Sequence, residues 1–384
     1  MRTPRHRGVL LLEDSVISTT KRTALGGLAI AGTAILLAGC GQAPEDTGGA
    51  SGDVDSDFLP CLISDEGGWN DRSFNQSAKE GLDRALEELG VEGIEMESNN
   101  ANDYAPNLET LVSEGCSFII SVGFNLAAAT VESALANPEI DYAIIDDYAD
   151  TDFDGETDAP NIKPLVFNTA EAAYLGGYAA AAWSAESGVN KVGTFGGGEI
   201  PSVKVFMDGF QLGVEKFNED KDGSVEVFGW NTETQQGSFT GGFAANDVAR
   251  QQAQGLLDQG VDVLLPVGGP IYMSAAAAIR DSDDDVLLLG VDSDIAVKDP
   301  ELADIVLVSI LKAIDQAVYD ATLSAASGDF DVEPYVGTLA NEGVALSSFH
   351  DFEDQLPEGT LDELAALQEA IIAGDVTVDS PNSP

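Results

Sequence analysis

Nine short apolar runs rich in β-formers, at 58–64, 117–123, 142–146, 163–167, 190–195, 224–230, 261–267, 286–291 and 304–308, alternate with segments of helical spacing. The helical segments fall at 74–89, 171–186, 203–217, 246–259, 270–281 and 310–326. In the first of them Ala78, Leu82, Ala85, Leu86 and Leu89 share one face. Strands that alternate with helices pair in parallel and are covered on both faces, because each crossover helix must lie on the sheet. That pattern excludes sandwiches, barrels of antiparallel strands and helical bundles. It runs twice, once up to about residue 166 and again over 168–292, and 384 residues exceed one comfortable core. The expectation is an α/β protein of two lobes joined by crossing strands. Lobe 1 is expected over 58–166 plus 293–334, lobe 2 over 167–292 plus 335–376, and a tail over 377–384.

Charge narrows the function. With 67 acidic and 17 basic residues the chain carries −50, which repels nucleic acid and anionic membrane surfaces. The acids are spread along the chain, as on a solvated surface rather than one binding patch. Lys21 and Arg22 precede a short apolar segment that ends in "LAGC", Leu37 to Cys40, which resembles the lipobox of bacterial lipoproteins. The resemblance implies a signal peptide over 1–39, lipidation of Cys40 and a flexible tether over 40–57. An ordinary secretory signal with a chance cysteine is the alternative. Removal of the leader takes away five basic and two acidic residues, leaving 12 − 65 = −53. Export permits a disulfide. Cys61 and Cys116 each precede or open a strand-like run, and the first and third strands of a doubly wound sheet are neighbours, so a Cys61–Cys116 bridge is expected. Two buried free thiols are the competing state.

Ligands of doubly wound sheets bind beyond the carboxyl ends of the strands. That rule nominates the loops 64–75, 121–125, 144–148, 195–201, 266–272 and 290–294. Enzyme chemistry finds little support in them. The only histidines are His6 and His350, and no HExxH, CxxC or GxSxG occurs, so neither a multi-histidine metal site nor a nucleophile elbow is expected. "GTFGGG" at 193–198 matches no phosphate-loop pattern and reads as a turn for close packing. No cofactor is expected.

In the loop "SDEGGWNDRSFNQ" the spacing Ser73-x-x-Gln76 makes a capping box, with Phe74 as the first helical residue. Phe74 then either staples the helix to the sheet or walls a cleft. Asp65, at the strand tip, either binds loop amides or faces a ligand.

"CLISDEGGWNDRSFNQSAKEGL", with "YAIIDDYAD", "GGFAANDVARQQAQGLLDQGVDVLLPVGGP", "LLGVDSD" and "VSILKAIDQAV", resembles the basic membrane protein (BMP) family of lipoproteins over 58–376. These are substrate-binding components of ABC importers, characterised mainly as purine-nucleoside receptors. The D-x-G-x-x-N/D-D-x-S-F-N-Q signature is specific to them. The resemblance implies the two-lobed type I periplasmic-binding-protein fold, in agreement with the alternation above.

By motif, Asp65 and Phe74 fall on the family's base-binding aspartate and stacking phenylalanine, with Asn75 beside them. Asp146 matches a strand-end aspartate, and Phe243 the second stacking aromatic, with Phe239 as its near alternative. Gly268 or Gly269, Asp292 and Lys312 match the ribose-binding set. Stacking is worth roughly 1–3 kcal/mol per base face. Carboxylates accept from base N–H groups and ribose hydroxyls, and a lysine offsets their charge. Lys312 is expected to begin an apolar helix, where a solvated helix-start lysine is the plain alternative. The family's lysine-rich segment is replaced by Val248–Arg250, and Glu66 and Trp69 occupy variable places, so base preference stays open.

The resemblance implies an extracytoplasmic, membrane-anchored, monomeric receptor that delivers a purine nucleoside to an ABC permease. A sugar or flavin receptor on the same scaffold, or a surface sensor without transport, is the alternative.

Overall fold

The computed structural model describes residues 56–384 except 153 and 283. The leader, Cys40 and most of the tether lie outside the described residues. No described helix is long and apolar enough to cross a membrane. In chain order the chain forms β1 (Pro60–Ser64), α1 (Phe74–Leu89), β2 (Ile94–Met96), α2 (Tyr104–Ser113), β3 (Phe118–Val122), α3 (Ala127–Ala136), β4 (Asp141–Ile145) and β5 (Ile162–Phe167). Then follow α4 (Thr169–Ser187), β6 (Lys191–Gly196), α5 (Pro201–Lys221), β7 (Glu226–Phe228), α6 (Asp247–Leu257), β8 (Val263–Val267), α7 (Ile271–Asp281), β9 (Leu287–Asp292), α8 (Ile295–Lys298) and β10 (Val306–Lys312). The chain finishes with α9 (Ile314–Ser327), β11 (Tyr335–Gly337), β12 (Val344–Leu346) and α10 (Thr360–Ala373).

Two six-stranded sheets result, in the orders β11-β5-β4-β3-β1-β2 and β12-β10-β9-β8-β6-β7. Within these two sheets every ladder is parallel except β12 against β10, and a separate two-stranded antiparallel ribbon pairs Trp230–Asn231 with Gln236–Gly237. The central strands β1, β3 and β8 are buried end to end because helices cover both faces, as the apolar runs require. Each sheet belongs to one lobe, and the chain passes between lobes after β5, after β10 and between β11 and β12.

Two expected boundaries are corrected. Residues 306–312 pair in the second sheet, so the chain returns to lobe 1 after Lys312 rather than at 293; β11, expected in lobe 2, pairs with β5 of the first sheet. The crossings are laced together. Asn168 N–H donates to Gly337 O at 2.8 Å and Ala313 N–H to Gly343 O at 2.9 Å. A Cβ on Gly343 would stand 2.3 Å from the Gly337 Cα, so these strands pass where only glycine fits.

Behind the second sheet, the alanine-rich α4 is buried over most of its circumference. It meets α5 at backbone contact, since a Cβ on Gly213 would stand 1.9 Å from Tyr174 O. Small residues here exchange side-chain bulk for dense backbone packing. Cys61 of β1 and Cys116, two residues before β3, are joined in a disulfide with Cα atoms 6.0 Å apart. The adjacency of β1 and β3 puts them there.

The segment 377–384, expected as a tail, is docked instead. Ser380 Oγ and Asn382 Nδ2 donate to Asp208 Oδ2 of α5 at 2.6 and 2.8 Å, and Ser383 Oγ donates to Asn168 Oδ1 at 2.8 Å. Asp208 is fully buried, and Trp230 Nε1 and Gln235 Nε2 donate to its other oxygen. Four donors thus satisfy one buried carboxylate, and two of them come from this segment.

Candidate ligand cleft

The carboxyl ends of β1, β3, β4, β8 and β9 converge on a cleft between the two sheets. It holds about 510 Å³ of space between atoms, part of it open to solvent. Asp65, Phe74, Asn75, Asp146, Phe243, Gly268, Gly269, Asp292 and Lys312 all line it.

At one end Asp65 directly follows β1 and is buried. Its Oδ1 accepts from Gly67 N–H at 2.9 Å and Asn75 Nδ2 at 2.8 Å. Burial pushes its pKa up to about 6, and these hydrogen bonds offset part of the rise. Phe74 is the first residue of α1, but the expected capping box is not what holds it. Ser73 makes no side-chain cap. Its hydroxyl reaches lobe 2, 2.8 Å from Asp292 Oδ2 and 3.0 Å from Val291 O. Asp71 caps the helix instead, accepting from Ser73, Asn75 and Gln76 N–H at 2.8–3.0 Å. Gln76 turns outward to Glu80.

At the other end Asp146 follows β4 and Asp292 ends β9, the equivalent strand tips of the two lobes. Both adopt left-handed backbone, with φ of 68° and 67°. Aspartate tolerates this conformation better than most residues, and here it aims both carboxylates into the cleft. Lys312 does not begin a helix. It is the last residue of β10, buried, with Nζ 2.5 and 2.7 Å from the Asp146 oxygens and 3.9 Å from Asp292 Oδ1. The rings of Phe74, Phe167 and Phe206 surround the same ammonium at 5.1–5.4 Å. Burial raises the pKa of both aspartates, Asp292 to about 6, against the opposing pull of Lys312.

Phe243 and Phe239 occupy different places. Phe243 lines the cleft, whereas Phe239 stands edge-on to Trp230 at 6.0 Å and does not. The glycine-rich turn after β6, read from sequence as a packing turn, seats these rings. A Cβ on Gly197 would lie 2.6 Å from the Phe243 ring, and one on Gly196 2.7 Å from the Phe239 ring. Gly268 gives Phe243 the same clearance, at 3.0 Å. Glu66 reaches across the cleft, and its Oε1 accepts from Phe243 N–H at 3.2 Å. Trp69 packs against the core and does not line the cleft.

Sequence reasoning missed Phe206 and Asp71, which also line the cleft. Phe206 sits in the second turn of α5, and its helical spacing matched an ordinary core residue. Asp71 had a legible signal, an aspartate two residues before Ser73, which is an Asx-turn spacing. The lobes also touch outside the cleft. Ser77 and Ser293 hydroxyls are 2.8 Å apart, Arg72 pairs with Asp299 at 2.6 Å, and Lys298 with Glu80 at 2.5 Å.

The family profile described as ABC transporter substrate-binding protein, PnrA-like (Bmp), matches residues 61–379. The chain is 29% identical to the ABC transporter nucleoside-binding protein BmpA of Lactococcus lactis, over 93% of this chain and 98% of that one. It is 28% identical to a CD4+ T-cell-stimulating antigen of Listeria monocytogenes, over 95% and 99%. Among solved structures, a solute-binding protein of an ABC transporter system from Aeropyrum pernix superposes with TM-score 0.71 at 25% identity, covering 83% of this chain and 92% of that one. A second, from Conexibacter woesei, superposes with TM-score 0.61 at 20% identity over 85% and 100%, and supports the fold alone.

Proposed function

This chain belongs to the PnrA-like (Bmp) family of ABC transporter substrate-binding proteins, and from that premise we propose that its cleft binds a purine nucleoside. It is a binding protein and not an enzyme, its place is outside the cytoplasm, and its partners are a small ligand and an ABC permease. The finer reading is that a lipid anchor on Cys40 holds a monomeric receptor at the membrane, where it hands the nucleoside to the permease.

One observation carries the nucleoside reading. Phe74 from lobe 1 and Phe243 from lobe 2 line a single cleft, with Asp65 at one end and the Asp146–Lys312–Asp292 cluster at the other. A flat aromatic base suits the phenyl rings, a carboxylate suits base N–H groups, and hydroxyls of a ribose suit the mixed-charge end. Ligand that touches both lobes binds the closed form better than the open one, and that difference drives closure by hinge motion. No bond is made or broken.

Mass spectrometry of small molecules released from the purified protein tests this directly. A purine nucleoside is expected. Release of riboflavin or a sugar, with no purine nucleoside able to replace it, would overturn the reading.

A further inference from the structure

We propose that a side chamber opening from the cleft at Asp146 is a second subsite, and that it takes a positively charged amine carried on the ribose end of the ligand. The proposal rests on the nucleoside reading above and adds to it the chemistry of one substituent.

The chamber holds about 750 Å³ of space between atoms, part of it open to solvent. Phe124, Asp146 and Ser202 line both it and the cleft, so the two spaces meet beside the Asp146–Lys312 pair, the end that suits the ribose. The loop after β4 and the end of β5 form one wall, with Asp147, Tyr148, Asp150 and Phe167. The start of α5 forms a second wall, and residues 381–384 form the outer one. That outer wall is fixed in place, since Asn382 donates to Asp208 and Ser383 to Asn168. The family profile stops at residue 379, so the outer wall lies beyond the matched residues.

No lysine, arginine or histidine lines the chamber. Lys312 neutralises Asp146, but Asp147 and Asp150 are paired with no cation among the described residues. Asp147 is half-buried, and its Oδ1 accepts from Ala149 N–H at 2.6 Å. Burial first, then the charges of Asp150 and Asp146, push its pKa up to about 6 against that hydrogen bond. A carboxylate so placed gains from a cation brought alongside it. Phe124, Tyr148 and Phe167 bring aromatic rings to the same space, and an ammonium is the polar group that aromatic faces attract.

The same features reject phosphate. A helix N-terminus is an ordinary anion site, but the one at α5 is disarmed. Pro201 has no N–H, and Val203 and Lys204 donate theirs to Ile200 O at 3.1 and 3.0 Å. The side chain of Lys204 is paired with Glu199 at 3.2 Å. An anion in the chamber would therefore meet Asp147 and Asp150 with no positive charge to offset them. The 2′ and 3′ hydroxyls of a ribose suit Asp146 and Asp292, which leaves the 5′ carbon as the point of attachment for the amine.

The test is calorimetric titration of the intact protein with guanosine and adenosine, each as the nucleoside, the 5′-amino-5′-deoxy derivative and the 5′-monophosphate. In whichever series binds, the amine is expected to bind several-fold more tightly than the nucleoside, and the monophosphate at least a hundredfold more weakly. Asp147→Asn keeps an acceptor for Ala149 and removes the charge. It should leave nucleoside affinity within twofold of wild type and abolish most of the advantage of the amine. An amine that binds no better than the nucleoside, or an advantage unchanged in both Asp147→Asn and Asp150→Asn, would overturn the subsite and leave a purine-nucleoside receptor intact. Binding of none of the six would overturn the nucleoside reading as well. If Asp147→Asn fails to fold, Asp150→Asn reads the same ratio.

Discussion

Lys312 Nζ sits 2.5 Å from Asp146 Oδ2, so one buried ion pair joins the last residue of a lobe 2 strand to a strand tip of lobe 1. It lies where the chain crosses between the lobes, because α9 of lobe 1 begins two residues later at Ile314. The ion pair is therefore both part of the cleft and part of the hinge.

Loss of that ammonium leaves Asp146 and Asp292 buried without a cation. Lys312→Met is expected to cost about 3–5 kcal/mol at neutral pH, the range for breaking a buried pair. The cost should shrink as pH falls toward 5, because carboxylates that burial already raises then take up protons. Thermal unfolding at pH 7 and pH 5 checks it. A wild-type Tm at pH 7 would show that the pair is not holding the lobes.

Burial pushes Asp65 and Asp292 to about 6, above the 3.8 of a free carboxyl. A raised folded-state pKa means that the folded protein holds these protons more tightly than the unfolded chain. The stabilising contribution is present at low pH and is lost as pH rises through about 6. These two groups therefore make the empty protein more stable at pH 5 than at pH 7. Donor groups of a ligand favour the ionised forms, so binding near pH 6 should release protons. Calorimetry in buffers of different ionisation enthalpy measures that release, and proton uptake would contradict the assignment of Asp65 as an acceptor.

The Cys61–Cys116 disulfide closes a loop across 55 residues. Chain-entropy arguments put its contribution at about 4 kcal/mol. The Cys61→Ser, Cys116→Ser double variant should unfold at clearly lower denaturant concentration than the oxidised wild type. Coincident transitions would mean that the thiols are not bridged in the protein.

Asp208→Ala would strand four donors, from Trp230, Gln235, Ser380 and Asn382, in a buried site. A loss of roughly 2–4 kcal/mol is expected, since several donors lose a charged partner at once. Limited proteolysis should then release the 377–384 segment. A segment equally protected in the variant would show that other contacts dock it.

Much of this arrangement was legible in the sequence, and the exceptions share a cause. The start of α1 at Phe74 was readable because polar loop, aromatic and helical spacing are all local. Its cap was misassigned because Ser73 is drawn to Asp292, 219 positions away, leaving the role to Asp71. Lys312 was misplaced because β10 and α9 form one apolar run, with no capping side chain at Ala313 to mark the change from strand to helix. The crossing after β10 and the pairing of β11 with β5 depend on contacts distant in sequence, which no local pattern records. Asn75, by contrast, was named from its motif, but its unpartnered oxygen is visible only once Asp65 is placed beside it.

The central claim is that the interlobe cleft binds a purine nucleoside. Titration calorimetry of the purified protein with guanosine, inosine, adenosine, riboflavin and ribose tests it most directly. Saturable one-to-one binding of a purine nucleoside is expected, weakened at least tenfold by Phe74→Ala and by Asp292→Ala with unfolding still cooperative. No heat with any purine nucleoside, or unchanged affinity in both variants, would contradict it.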